Sequence, residues 1–366
     1  MEDAYQALLL LLLPVVGCSG GKDTSAEGSS GTACLSMDAQ DATCPTYTTV
    51  DPSDLVSTSC GAEVLSVDGA GSEGSDPTGW GDTGSSWCCY PVTEQNDSEC
   101  TYGRPFMRAG RPQWANTEGR QGWTAGARPV LAGLPADARS QLAAAWRQAA
   151  LEEHASVAAF ARVTLELMAL GAPAKLVAQT TTAATEEVHH ATIAFQLASA
   201  YAGCAVGPSG FPLGSSVSLT GDLAAFAAVT VREGCIGETL TTLVALSCLE
   251  QATDPAACAA LQQITEDEQG HARLAWATVR WALDVGGAPV RAAVAAAFAA
   301  LDGEAFPLPQ RLADGPHRAL LVAHGVPDAQ TARAAIRRGV AEVVLPAARE
   351  LLSAAHVVRQ GEALLA

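Results

Sequence analysis

Glu186-Glu187-Val188-His189-His190 and Glu268-Gln269-Gly270-His271 are the stretches on which the reading of this chain turns. Each sets a glutamate three positions before a histidine, a spacing that puts both side chains on one face of an α-helix. That face is otherwise apolar. Around the first pair it runs Leu176, Thr180, Ala183, Glu187, His190, Ala194 and Leu197; around the second it runs Leu261, Ile264, Glu268, His271 and Ala275. Two more stretches show the same 3/4 periodicity with a glutamate midway. One holds Glu153, Val157, Phe160, Thr164 and Leu167; the other holds Phe226, Thr230, Glu233, Gly237, Leu240 and Val244.

The four stretches form an internal repeat. Glu153 maps onto Glu233 at an offset of 80, while Glu187, His190 and Phe195 map onto Glu268, His271 and Trp276 at 81. One Glu-x-x-His pair is a weak signal, because both residues are common on helix surfaces. Two pairs, each with a lone glutamate 34 or 35 residues upstream, are a strong one. Four carboxylates turned into one core cost several kcal/mol each after relaxation unless a positive charge joins them. Two divalent ions would cancel four carboxylates, with the imidazoles as neutral ligands. Oxygen-rich sites with some imidazole suit iron or manganese, with zinc as a competitor.

Some positions leave a choice. Glu186/His189 overlaps Glu187/His190, and both the stripe and the repeat select the second pair. Glu152 lies outside the stripe of Glu153. Glu238 sits five residues beyond Glu233, about 140° round an α-helix, and reads either as a flanking polar residue or as an extra ligand. Metal-bound histidines usually donate their second nitrogen to a carboxylate or carbonyl. Asp267 is therefore expected to hold His190, and Glu186 to hold His271, across the bundle. His154, His317, His324 and His356 read as surface or interhelical residues.

The order E, ExxH, E, ExxH over about residues 140–285 resembles the ferritin-like di-iron proteins: ferritins, bacterioferritins, rubrerythrins and carboxylate-bridged oxygenases. The resemblance implies a four-helix bundle with one long crossover. It also implies terminal ligands Glu153 and Glu233, bridging Glu187 and Glu268, and His190 and His271 each on one of two iron ions. Glu238 would match the mobile ligand of rubrerythrins. The chain is also similar to bacterial ferritin-like lipoproteins with a cysteine-rich front.

Punctuation agrees with that topology. Helices are expected from about 136 to 170, 174 to 202, 220 to 251 and 255 to 284. They are separated by Gly171-Ala172-Pro173, by a Gly/Pro-rich connection of about seventeen residues, and by Thr253-Asp254-Pro255. Residues 286–366 read as a C-terminal helical extension, broken at Gly303, Pro307–Pro309, Gly325 and Pro346. The expected fold is thus all-α over 135–285 and its extension, preceded by a linker (101–134) and a small, irregular, disulfide-rich module.

That front part has its own chemistry. Residues 1–100 carry sixteen acidic residues and one lysine, Lys22, which excludes a nucleic-acid footprint. Ala7 to Val16 is an apolar run of ten, too short for a stable membrane helix and suited to a signal sequence. It ends in Val15-Val16-Gly17-Cys18, similar to a bacterial lipobox with Cys18 as the lipidated residue, although Met1-Glu2-Asp3 lacks the customary basic residues. Residues 1–18 are thus expected to be a signal and 19–32 a tether. Residues 33–100 hold Cys34, Cys44, Cys60, Cys88, Cys89 and Cys100, with no Cys-x-x-Cys pair and no histidine, which favours disulfides over zinc. In the helical part, Cys248 with Cys258 and Cys204 with Cys235 are candidate disulfides.

These features describe an exported lipoprotein, held at the outer membrane facing the periplasm or at the cell surface, with a di-iron centre. Its expected partners are O₂ or peroxide and an unspecified electron donor, and a dimer is compatible with the pattern. Three functions fit: a redox enzyme (ferroxidase, peroxidase or oxygenase), a metal binder without turnover, or a structural lipoprotein whose metals neutralise an acidic core. The absence of Cys-x-x-Cys pairs excludes a complete rubrerythrin.

Overall fold

The computed structural model describes the strand residues 29–37, 56–57, 62–67, 72–74 and 86–96. From residue 104 it continues to 353, apart from 109–110, 214–216, 218 and 302–305. Cys18, Cys44, Cys60, Cys100 and His356 lie outside the described residues, as does the expected signal sequence.

The described residues of the front module, expected to be irregular, are strands. Strands β1 (Ser29–Met37), β2 (Val56–Ser57), β3 (Ala62–Val67), β4 (Ser72–Gly74) and β5 (Ser86–Asn96) form one antiparallel sheet. The order is β2-β1-β5-β3, with β4 also on β5. The β1–β5 register sets Cys34 opposite Cys89 and Leu35 opposite Cys88. These strands are rich in Gly, Ser and Thr and lack a clean apolar alternation, so the pattern that announces a strand in sequence is missing.

The rest of the described chain is mostly helical. Helix α1 (Ala136–Ala169) starts after Pro135, whose fixed φ suits the first turn. Its end is a turn through Gly171 at φ 71°, a left-handed conformation only glycine adopts cheaply. Pro173 then opens α2 (Ala174–Ala202), which Gly203 terminates at φ 75°. After the connection, Asp222 caps α3 (Leu223–Thr230) by accepting a hydrogen bond from the Ala225 N–H. The helix continues through a π-helical stretch, Val231–Glu238, into α4 (Thr239–Leu249). Asp254 caps α5 (Pro255–Ala299) by accepting from the N–H groups of Ala256 and Ala257. Helix α5 breaks at Gly287, where the backbone is non-helical, and Pro289 follows within two residues.

Helices α1 and α2 pack extensively on each other, and α5 lies against α2, α3, the π stretch and α4. The core between them is built from Leu142, Trp146, Phe195, Tyr201, Leu240 and Val279, among others. Beyond α5 come α6 (Arg318–Val322) and α7 (Ala329–Gly339), and α7 packs on α4. One expected break is absent. The helix of α7 passes through a π-helical turn, Val340–Val344, and runs on through Pro346 to residue 353. A proline clashes with the carbonyl four residues back, and the widened turn just before it absorbs that clash.

Residues 104–134 are folded onto the helices. Thr117–Glu118 pairs with Gly207–Pro208 of the connection, and the Val130 N–H donates to Asp254 Oδ2 at 2.8 Å. Phe106 is buried with its ring edge on Phe211. Arg104, two residues earlier, is carried into the core.

Candidate metal centre

Four helical positions converge inside the bundle. Glu153 comes from α1, Glu187 and His190 from α2, and Glu268 from α5; one ligand atom of each lies within 4.8 Å of the others. His190 Nδ1 is 3.7 Å from Glu153 Oε2, 3.6 Å from Glu187 Oε2 and 3.5 Å from Glu268 Oε1. His271 Nδ1 is 3.2 Å from Glu187 Oε1 and 3.2 Å from Glu268 Oε1. The two imidazole centroids are 5.9 Å apart.

The opposite edges of both rings meet carboxylates from the facing helix. His190 Nε2 is 3.0 Å from Asp267 Oδ2, and His271 Nε2 is 2.9 Å from Glu186 Oε2. Gln263 also donates to Asp267, at 2.8 Å. A carboxylate on Nε2 holds a proton there, so that Nδ1, which faces the acids, is the nitrogen that would be offered to a metal.

Among the described residues, several atoms on that inner side have no hydrogen-bond partner. Glu187 Oε2, Glu268 Oε2, His190 Nδ1 and His271 Nδ1 are buried and make no hydrogen bond. Buried polar atoms are almost always paired, and four orphans on neighbouring side chains need a reason. The electrostatics give the same answer. Burial, with repulsion from Glu187 and Glu268, pushes the Glu153 carboxyl up to about 8 against the pull of His190. Burial opposes charging either imidazole, yet the surrounding carboxylates drive both well above the ordinary histidine range. The carboxylates draw positive charge, as protons on the imidazoles, to the place where a metal ion would supply it.

Glu233 is not brought to this cluster. Its Oε2 accepts from Arg162 Nη2 at 2.6 Å, and the same guanidinium bonds Glu166 at 3.0 Å. Glu238 comes in instead: it is 2 % exposed and lines the same cavity as Glu153, Glu187 and Glu268. The π-helical stretch Val231–Glu238 is the cause. Its i→i+5 bonding widens the turn, so a residue five positions on moves from the flank toward the inner face. The regular spacing of the internal repeat, which favoured Glu233, assumes an unbroken α-helix.

A second feature had no signal in the sequence. Arg104, from the segment before the bundle, is 3 % exposed and donates through Nε to Glu238 Oε1 at 2.7 Å. Its guanidinium carbon lies 4.4 Å from the centre of the Phe160 ring, and Ser156 Oγ donates to its carbonyl at 3.0 Å. Burial opposes its charge, but Glu238, Glu233 and Glu187 outweigh it and hold the guanidinium above its ordinary value. Burial, then repulsion from Glu268, raises Glu238 well above the usual carboxylate range despite Arg104.

The cavity over the cluster has a volume of about 140 Å³ and a mainly apolar lining that includes Trp146, Val244, Leu261 and Ile264. Pro309, Arg311 and Pro327 of the C-terminal extension form part of its wall.

Neither helical disulfide candidate is present: Cys204, Cys235, Cys248 and Cys258 are all free. Cys235 is wholly buried, whereas Cys204 is exposed beyond the end of α2. Cys248 is buried facing the cavity with Val326 and Pro327, and burial pushes its thiol up to about 12. Cys258 is partly buried in the first turn of α5. Near-symmetric spacing about a turn does not put two side chains on the same face. His324 proves interhelical: its Nδ1 is 2.8 Å from Tyr201 Oη. His154 packs edge-on between Trp123 and Phe211, and His317 meets Asp137 at 2.7 Å.

No protein-family model matches the chain, and no curated protein or solved structure does either.

Proposed function

We propose that residues 135–285 are a ferritin-like bundle whose core holds iron, and that the chain is an exported, lipid-anchored redox protein acting on O₂ or peroxide. The observation that carries this reading is the convergence of ligand atoms from Glu153, Glu187, His190 and Glu268 within 4.8 Å of one another, with Glu187, His190 and Glu268 each holding a buried atom that has no hydrogen-bond partner. Glu153, Glu187, His190 and Glu268 would hold the metal, which suits iron or manganese by its oxygen-rich donor set. Bound iron would supply one-electron chemistry toward a small oxidant.

The chain's own groups do the rest. Asp267 and Glu186 fix the histidine tautomers and keep the ring nitrogens aimed inward. The apolar walls around Trp146 and Leu261 keep bulk water from the carboxylates and admit a molecule the size of O₂ or peroxide. Cys18 would carry the lipid, and the acidic sheet module would stand between membrane and bundle.

The test is metal analysis of protein from its native host, followed by anaerobic loading with ferrous iron and addition of O₂ or peroxide. Ferric absorbance appearing with repeated oxidant consumption supports an enzyme. One stoichiometric oxidation without turnover supports a passive binder. If Glu187→Ala abolished metal yet left stability and localisation unchanged, a purely structural role for the metal would be excluded.

A further inference from the structure

We propose that Arg104 is the fixed cation of the second half of this centre, so that the chain binds one metal ion where the family resemblance implies two. The proposal rests on reading the cluster as a metal centre and departs from that resemblance in number.

The acidic side chains divide into two groups around the two imidazoles. Glu153, Glu187 and Glu268 surround His190 Nδ1 and complete one ligand set. A set on the His271 side would have to add an acid from the π stretch or its flanks to Glu187 and Glu268. Glu233 is held away by Arg162 and Glu238 is held by Arg104. Arg104 is on that same side. Its guanidinium covers the face of Phe160, whose ring meets His271 with centroids 5.0 Å apart.

The chain is shaped to put a guanidinium there. Ser156 of α1 holds the Arg104 carbonyl, and Phe106 anchors the next turn of chain against Phe211. Gly234 leaves the space: a Cβ there would lie 2.7 Å from Arg104 Nη2. A buried guanidinium is retained only where acids compensate its lost hydration. Arg104 already supplies, beside Glu238, positive charge that a second ion would otherwise bring to that side of the cluster.

The experiment counts metal in the full-length protein. Wild type is loaded with ferrous iron without oxygen, freed of loose metal, and measured for iron per chain. It is then oxidised and examined by electron paramagnetic resonance. One iron per chain and an uncoupled high-spin ferric signal are expected. Arg104→Gln, which removes the charge, is expected to approach two per chain and lose that signal to a spin-coupled pair. Arg104→Lys, which keeps the charge, is expected to stay at one. Two irons in wild type overturn the proposal and leave the metal reading standing. No iron in wild type overturns the metal reading, and this proposal with it. One iron in a folded Arg104→Gln, or two in Arg104→Lys, shows that the charge is not what excludes the second ion and overturns the proposal. Because wild type alone decides the count, a variant that fails to fold leaves the test intact.

Discussion

Replacing Gly234 by alanine tests the packing on which the site depends. In an exposed helix Gly→Ala gains up to about 1 kcal/mol, because alanine loses less backbone entropy. At Gly234 the new methyl would overlap Ala275 Cβ and approach Arg104 Nη2 to 2.7 Å. Ala275 has no rotamer to change, so α5 or the π stretch must move; overpacking of this kind costs about 1–3 kcal/mol. Displacing the buried Arg104 from Glu238 adds to that cost. The expected net effect of Gly234→Ala is a loss of about 1–3 kcal/mol. Gly270, inside α5, is the control, since a Cβ there meets nothing within 4 Å. Gly270→Ala is expected to be neutral or to stabilise by up to about 1 kcal/mol. Urea and thermal unfolding of both variants beside wild type give the comparison. A Gly234→Ala protein as stable as wild type would refute the close approach of Arg104 and α5 to the π stretch.

Asp267→Ala should weaken metal binding by about 10- to 100-fold while leaving helicity intact, because the partner of His190 is lost. Glu186→Ala, which frees only His271, should weaken it far less; equal losses in a competitive chelator titration would contradict a site centred on His190. Burial raises the Glu152 carboxyl to about 7, with Gln148 pulling the other way. The unfolded carboxyl ionises from about 4.5, so the folded chain loses stability as pH rises from there to 7. Glu152→Gln removes that loss, so its advantage should grow from pH 4.5 to 7 and then level off at about 1 kcal/mol after screening. An advantage in unfolding free energy that did not change with pH would reject this assignment. Finally, unfolding without reductant in the presence of iodoacetamide should label Cys204, Cys235, Cys248 and Cys258. A Cys248–Cys258 cross-linked peptide in the mass spectrum would show the turn to be packed differently.

What the sequence by itself determined are features set by local periodicity. Apolar stripes, Pro135, Gly171, Pro173 and the Asp222 and Asp254 caps mark the starts of four helices within a few residues of where they lie, whereas the fourth, expected to end near 284, continues past its break at Gly287 to Ala299. The i, i+3 pairs Glu187/His190 and Glu268/His271 come to one place because a regular helix carries any stripe of that period to the core. Even the crosswise contacts of Asp267 with His190 and Glu186 with His271 follow from one helix facing another.

Only the tertiary structure decided which acid of Glu233 and Glu238 turns inward, that Arg104 joins them, and that Glu94 and Val64 lie in paired strands. A π-helical register shift is a local strain tolerated for the sake of packing against Ala275 and Arg104, so no pattern within Val231–Glu238 announces it. The Arg104–Glu238 pair spans 134 residues of chain. Its energy exists only after the bundle has excluded water, and a charge in a Gly/Pro-rich stretch looks the same whether it ends in solvent or in a core.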